Sequence, residues 1–255
     1  MIKMIVTDLD GTLLKNDKTI SYRTIETLKK CQMNGIKIVF ATARSTQVAA
    51  KALGFFTPDA FIGYGGSLVT AGAEVIGRCD IPSDISSKII RDCLSEPEIT
   101  YIHAINENDA LTNCIAGAED AEMSHYRRVD FSEVPEQSYL KISMNANSQA
   151  AVEKIAAMYP MCDMLRYTGE DLYRFANRNA VKWNAVVIAA EHYGIDTNLI
   201  VVFGDDINDT EMILNCGVGV AVSNAVDEVK AAADYICGSN DEDGVAEWIE
   251  KNILS

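Results

Sequence analysis

The sequence predicts an α/β protein, a doubly wound parallel sheet interrupted by a separate α+β segment, and three observations carry that prediction. Short apolar runs alternate with helix-period segments through residues 1–80, the same alternation resumes near residue 181, and the stretch between them mixes hairpin signals with helices. Strand–helix alternation is the pattern of parallel strands joined by crossover helices, whereas hairpins with segregated helices belong to α+β units. A chain of 255 residues is long enough for one large domain or two smaller ones.

The first strand is the run Met4-Ile5-Val6, which ends in Asp8-Leu9-Asp10 before Gly11 and Thr12 turn the chain. Residues two apart on a strand share a face. Asp8 and Asp10 are therefore expected to point the same way from the strand's carboxyl end, where open α/β sheets place their ligands. Two carboxylates held together repel unless a cation lies between them or one keeps its proton. Next, Ile20, Tyr22, Ile25, Leu28 and Cys31 recur at helical spacing, with Ser21 placed to cap and Gly35 to stop. A second buried run, 36–41, ends in Thr42-Ala43-Arg44-Ser45, and a short helix follows through Leu53 to Gly54. Phe61-Ile62 is a third strand, behind which Gly63, Gly65 and Gly66 allow close backbone approach. Residues 67–79 read as a hairpin around Ala71-Gly72.

In the middle segment, Ile85, Ile89, Ile90 and Cys93 mark a helix, and strands 100–105 and 110–114 flank the turn 106–109. After a polar stretch come strand 139–145, helix 148–158 and strands near 164–167 and 172–176. From Val181 a helix runs to Tyr193 and stops at Gly194, and strand 199–203 leads into Gly204-Asp205-Asp206-Ile207-Asn208-Asp209. A helix through Met212 to Leu214, strand 218–222, a helix near 226–232, a short strand 235–236 and a final helix 245–253 complete the chain. The domain boundaries expected are 1–80 with 179–255 for the core and 81–178 for the insertion. An insertion at that point is expected over the carboxyl ends of the strands.

Lys and Arg number 22 against 37 Asp and Glu, a net charge of −15. A nucleic-acid backbone or an anionic membrane surface needs the opposite balance, so neither is an expected partner. The seven cysteines are scattered, odd in number and never spaced CxxC, and Cys31 and Cys93 fall at apolar positions, so buried reduced thiols are expected. No apolar run approaches membrane-spanning length and no secretory pattern opens the chain, so a cytoplasmic location is expected.

Four segments place polar groups where buried strands end or helices begin. Asp8 and Asp10 are the first, or are an acidic turn that caps the next element. Thr42, the second, offers a hydroxyl and free backbone N–H groups for a phosphate oxygen, or is an ordinary cap. Lys182, in the first turn of its helix, stands against the helix dipole unless an anion is near, or is a solvated surface lysine. Asp205, Asp206 and Asp209 put three carboxylates within five residues at a strand end, which suits a hard cation such as Mg²⁺, or are a plain capping cluster. An EF-hand loop does not fit, because Ile207 occupies a ligand position. Together these supply a carboxylate nucleophile, an acid/base, a metal and donors for phosphoryl oxygens.

DLDGT, ATAR, Lys182 in NAVKWNAV and GDDINDTEM, in that order and separation, resemble the haloacid dehalogenase superfamily of phosphatases. The tail from Gly217 and the size of the insertion resemble its Cof-type branch, which carries a large α/β cap after the third core strand. The resemblance implies a Rossmann-like core and a cytoplasmic Mg²⁺-dependent phosphatase of a small phosphorylated metabolite, with a sugar phosphate as the expected substrate. By position, Asp8 becomes the nucleophile and Asp10 the acid/base. Thr42, Lys182, the N–H groups of Leu9 and Ala43, and the Asn208 side chain hold phosphate oxygens. Mg²⁺ is held by Asp8, the Asp10 carbonyl and Asp205, with Asp209 in direct or supporting contact. Arg44 either touches substrate or pairs with an acidic neighbour. The family usually has Gly in place of Ala43 and Trp183 and an Asn-Gly pair near Gly65-Gly66, differences that bear on specificity rather than chemistry. A phosphomutase or phosphotransferase acting on a sugar phosphate, and a metabolite-binding regulator without turnover, are the alternative readings. A monomer or homodimer is expected. His103, His125, Arg127 and Arg128 are the insertion's candidates for touching substrate.

Overall fold

The apolar run that opens the chain is buried on both faces, and the rest of its unit is built outward from it. In chain order the first elements are β1 (Met4–Thr7), α1 (Tyr22–Met33), β2 (Lys37–Ala41), α2 (Thr46–Leu53), β3 (Ala60–Gly63), β4 (Leu68–Ala71) and β5 (Glu74–Arg78). The middle of the chain forms α3 (Ser83–Ser95), β6 (Ile99–Ile105), β7 (Ala110–Thr112), β8 (Arg127–Arg128), β9 (Lys141–Ala146), α4 (Gln149–Met158), β10 (Cys162–Arg166) and β11 (Leu172–Asn177). The last part forms α5 (Lys182–Tyr193), β12 (Ile200–Gly204), α6 (Thr210–Asn215), β13 (Val218–Val222), α7 (Asp227–Ala232), β14 (Tyr235–Cys237) and α8 (Gly244–Asn252). The computed structural model describes residues 1–53, 56–115, 126–166 and 171–255, so the helix end expected at Gly54, the strand end expected at Tyr167 and the candidate His125 lie outside the described residues.

Two compact units result: Met1–Arg78 with Val181–Ser255, and Cys79–Ala180. The first holds an eight-stranded sheet in the order β14-β13-β12-β1-β2-β3-β4-β5. Its first six strands run parallel, and β4 and β5 add an antiparallel hairpin. β1 pairs with β12 on one side and β2 on the other, with Ile5 opposite Val201 and Ile38. A strand covered on both faces needs a continuous apolar run rather than an alternating one. Met4, Ile5, Val39, Phe40, Val202 and Phe203 are fully buried in that core, each contributing roughly 1.5–3 kcal/mol of burial. Ser21 caps α1 by accepting from the Thr24 N–H, and Gly35 follows the helix at φ +77.

The second unit holds a six-stranded sheet in the order β10-β11-β9-β6-β7-β8. It is antiparallel except for the β7–β8 pair. Its core is its own: Ile89, Ile90, Ile102, Met144, Tyr173 and Phe175 pack together around α3 and α4. The strand expected from residue 139 begins at Lys141, because Tyr139 instead forms an isolated antiparallel bridge with Ile81. The strand expected to reach residue 114 ends at Thr112, and β8 is an unanticipated strand of two exposed arginines with no apolar pattern to announce it. The described cysteines are free thiols, with Cys31 and Cys93 buried. Among the described residues no helix is long and apolar enough to cross a membrane.

Candidate active site

β1 ends at Thr7, and its ladder delivers Asp8 to the carboxyl edge of the sheet. The Asp8 N–H donates to the Phe203 carbonyl at 3.0 Å, and the Thr7 hydroxyl donates to the Asp8 carbonyl at 2.8 Å. The Asp8 side chain is buried. Beside it, β12 ends at Gly204, and the following single-turn helix Ile207–Asp209 carries Asp209 into the interior, fully buried. Asp206 caps this turn, and Asp209 accepts from the backbone N–H groups of Asp205 at 3.0 Å and Asp206 at 3.2 Å. The capping geometry thus fixes Asp209 without help from a ligand.

Lys182 begins α5 and is buried. Its Nζ donates to Asp8 Oδ1 at 2.7 Å and Asp209 Oδ1 at 2.6 Å. These two carboxylates answer the question its position raised, since they supply the anions that offset an unfavourable helix end. Gly66, at φ +111, lets the chain behind β3 pass against the start of this helix: a Cβ there would lie 2.5 Å from the carbonyl carbon and oxygen of Val181. Gly11, at φ +80, turns the chain past Asp205, and the Thr12 hydroxyl donates to Asp205 Oδ1 at 2.5 Å.

Burial pushes the Asp8 carboxyl up to about 8, reinforced by Asp209 and Asp205 and opposed by Lys182. Asp205 is pushed up to about 6 by burial and by Asp209, against the Thr12 hydrogen bond. For Lys182, burial favours the neutral amine, but Asp209 and Asp8 more than offset it and the ammonium is held above its ordinary range. One ammonium faces three carboxylates, so the fully ionised cluster carries excess negative charge in a buried place, which is costly unless a cation joins it. One oxygen from each of Asp8, Asp205 and Asp209 lies within 4.8 Å of the others. This donor set, all hard oxygen, fits a small divalent cation.

The expectation that Asp8 and Asp10 act as a same-face strand pair is corrected. The strand stops before either residue, so the two-residue alternation does not extend to them. The Asp10 carboxylate stands outside the three-carboxylate group, half-buried, and accepts from Arg44 Nε at 2.6 Å, Arg44 Nη2 at 2.5 Å and Lys18 Nζ at 2.9 Å. Burial favours its protonated form, but the Arg44 and Lys18 hydrogen bonds prevail and hold it below the usual carboxylate range. Arg44 therefore pairs with an acidic neighbour. Lys18 was not legible in the sequence, because a turn lysine at φ +66 has no periodicity to mark it.

Thr42 is buried at the end of β2, but its backbone N–H is not free: it donates to the Ile62 carbonyl at 2.9 Å. Its hydroxyl accepts from the Arg44 N–H at 3.2 Å. Among the described residues, the N–H groups of Leu9 and Ala43 have no backbone partner. Asn208 is exposed on the turn that carries Asp209. In the second unit, His103 is buried between the rings of Tyr101 and Tyr126, at 5.0 and 4.6 Å, and Arg127 pairs with Asp109 on the surface. Arg128 reaches the Ile115 carbonyl at 3.5 Å.

The model of the haloacid dehalogenase-like hydrolases matches residues 5–249. The 5-amino-6-(5-phospho-D-ribitylamino)uracil phosphatase YbjI of Escherichia coli is 28% identical, over 98% of this chain and 96% of its own. The HMP-PP phosphatase of an Enterobacter species is 26% identical, over 92% of this chain and 89% of its own. Among solved structures, TM0651 from Thermotoga maritima superposes with a TM-score of 0.84 at 25% identity, covering 98% of this chain and 97% of that one. BT4131, described as a HAD subclass IIB sugar phosphatase, gives 0.80 at 23% identity over 98% of both chains, a likeness of fold alone.

Proposed function

The chain belongs to the haloacid dehalogenase-like hydrolases, and on that premise we propose that it is a Mg²⁺-dependent phosphatase of a small phosphorylated metabolite, working through an aspartyl-phosphate. The observation that carries this reading is the constellation of buried Asp8, Lys182 and Asp209 with half-buried Asp205. Three carboxylates that share one ammonium make a poor structural core but a good nucleophile and cation site, since the charge left over must be met by a proton or by a further cation. The relatives named as phosphatases of phosphorylated small metabolites support the substrate class. The unit Cys79–Ala180 is assigned substrate selection in this reading.

Asp8, Asp205, Asp209 and the Asp10 carbonyl would hold Mg²⁺, whose charge would favour ionised Asp8 and offset negative charge on the phosphoryl oxygens. An Asp8 oxygen attacks phosphorus as the bond from phosphorus to the leaving oxygen breaks, and Asp10 delivers a proton to that oxygen. Water then attacks the phosphorus of the aspartyl-phosphate, Asp10 takes its proton, and orthophosphate leaves with Asp8 restored. The Thr42 hydroxyl, the Lys182 ammonium, the N–H groups of Leu9 and Ala43 and the Asn208 side chain serve the phosphoryl oxygens in this scheme. Asp10 can act as an acid only when Arg44 and Lys18 release it, because both favour its ionised form.

The test is hydrolysis of p-nitrophenyl phosphate and a panel of phosphorylated metabolites with Mg²⁺, comparing the parent chain with Asp8→Asn. The variant is expected to lose about three orders of magnitude or more in kcat. A parent inert across the panel, or an Asp8→Asn variant at full rate, sinks the reading.

A further inference from the structure

The turn that follows Asp10 is held from outside by two asparagines that belong to neither the three-carboxylate group nor the phosphate-binding set. Asn224 lies just beyond β13, and Asn240 just beyond β14, in the single-turn helix Asn240–Glu242. Asn224 Nδ2 donates to the Gly11 carbonyl at 2.7 Å, and its Oδ1 accepts from the Asn240 N–H at 3.0 Å. Asn240, itself 4% exposed, donates through Nδ2 to the Leu14 carbonyl at 2.9 Å and to Asn16 Oδ1 at 3.2 Å. The Asn16 N–H in turn donates to Asp241 at 2.9 Å. The far end of the segment Gly11–Asn16 has further ties: the Lys15 N–H donates to the Thr19 carbonyl at 2.9 Å, Lys15 Nζ pairs with Asp243 at 3.6 Å and Asn16 Nδ2 donates to Asp241 at 2.5 Å. Leu13 and Leu14 bond back to the Leu9 carbonyl, and at the near end, beside Asp205, Asn224 reaches the Gly11 carbonyl.

We propose that Asn224 and Asn240 are positioning residues for the cation site, acting through the Gly11–Asn16 turn on Asp205 and on the Asp10 backbone. The turn carries Thr12, whose hydroxyl holds one Asp205 oxygen, and Gly11, whose close approach to Asp205 leaves no room for a Cβ. It also continues directly from the Asp10 carbonyl. The chemistry favours asparagine at both places. Each side chain donates to a backbone carbonyl, and Asn224 accepts from an N–H at the same time, which an ionised aspartate or a leucine cannot do; a serine hydroxyl has both functions but a shorter reach than the asparagine amide. Groups that orient the ligands of a metal affect its affinity without touching it.

The inference rests on the phosphatase reading only in taking the cluster to bind a divalent cation, and its test reads binding directly. Mn²⁺ is titrated into the metal-free full chain and free Mn²⁺ is followed by electron paramagnetic resonance, for the parent, Asn224→Ala and the milder Asn224→Ser. Asn224 is exposed, so both variants retain the buried Asn240 and its bonds to Leu14 and Asn16. Mn²⁺ is expected to bind about tenfold more weakly to Asn224→Ala. The Mg²⁺ concentration for half-maximal hydrolysis of p-nitrophenyl phosphate should rise in parallel, while KM at saturating Mg²⁺ stays at the parental value. A folded Asn224 variant that binds Mn²⁺ as tightly as the parent overturns the inference and leaves the phosphatase reading intact. A parent that binds Mn²⁺ but hydrolyses no phosphate ester, with weakened binding in the variant, sinks the phosphatase reading and sustains this inference. A parent that binds no Mn²⁺ overturns both.

Discussion

Lys182 shows how much one side chain can settle. From sequence it stood at the unfavourable end of a helix, with a solvated lysine and an anion-seeking lysine equally open. Its contacts with Asp8 and Asp209, both buried, decide for the second. Removing one partner from a buried ion pair leaves an uncompensated charge, which typically costs about 3–5 kcal/mol. Lys182→Met is therefore expected to lower stability by that order in metal-free protein, read from urea unfolding, and by less when Mg²⁺ is saturating. Equal losses with and without Mg²⁺ would show that the cation and the ammonium do not share the same carboxylates. Asp10 teaches the opposite lesson. Its identity was legible, but its partner Lys18 was not, because nothing local says that a turn lysine folds back across eight residues.

Among the elements, the continuous apolar runs of β1, β2 and β12 were legible because burial on both faces leaves no room for polar residues. What failed was local. β8 has no apolar residue, and Tyr139 satisfies its backbone through a single bridge rather than a ladder, so neither obeys a period. The candidate site was legible where residues sit directly after strands, and illegible where long side chains or distant loops reach in, as with Asn224 and Asn240. Asp59, just before β3, is another such link. It accepts from the Ile38 N–H at 2.9 Å, Gln32 Nε2 at 3.0 Å and Lys37 Nζ at 2.8 Å, tying α1 and β2 together. Burial pushes its carboxyl up, but these donors prevail and hold it below the ordinary value. A carboxyl depressed in the folded state stabilises above its unfolded value of about 3.9 and loses that contribution as pH falls through the folded value. Asp59→Ala is expected to cost about 1–3 kcal/mol at neutral pH. The gap to the parent should shrink toward acid pH in urea denaturation series. A gap that does not change with pH assigns the effect to packing instead.

At the scale of the whole molecule, each unit has a hydrophobic core of its own, and the second unit is one unbroken stretch of chain. Residues 79–180 expressed alone are therefore expected to give a cooperative thermal transition by circular dichroism. A gradual, non-cooperative loss of signal would show that this core needs the other unit to form. The first unit has no such independence, because β1, its central strand, pairs with β2 from nearby in sequence and with β12 from beyond the second unit. On the ribosome this order acts as a clock. At about 5–20 residues per second, β1 emerges on the order of ten to forty seconds before its second neighbour. Throughout that interval one edge of the nascent sheet is bare, and Asp8 has neither Lys182 nor Asp209 beside it. The buried contacts of Asp8 are thus completed only after the larger part of the polypeptide has been made, and until then the edge of β1 that awaits β12 stays open to wrong strand pairing.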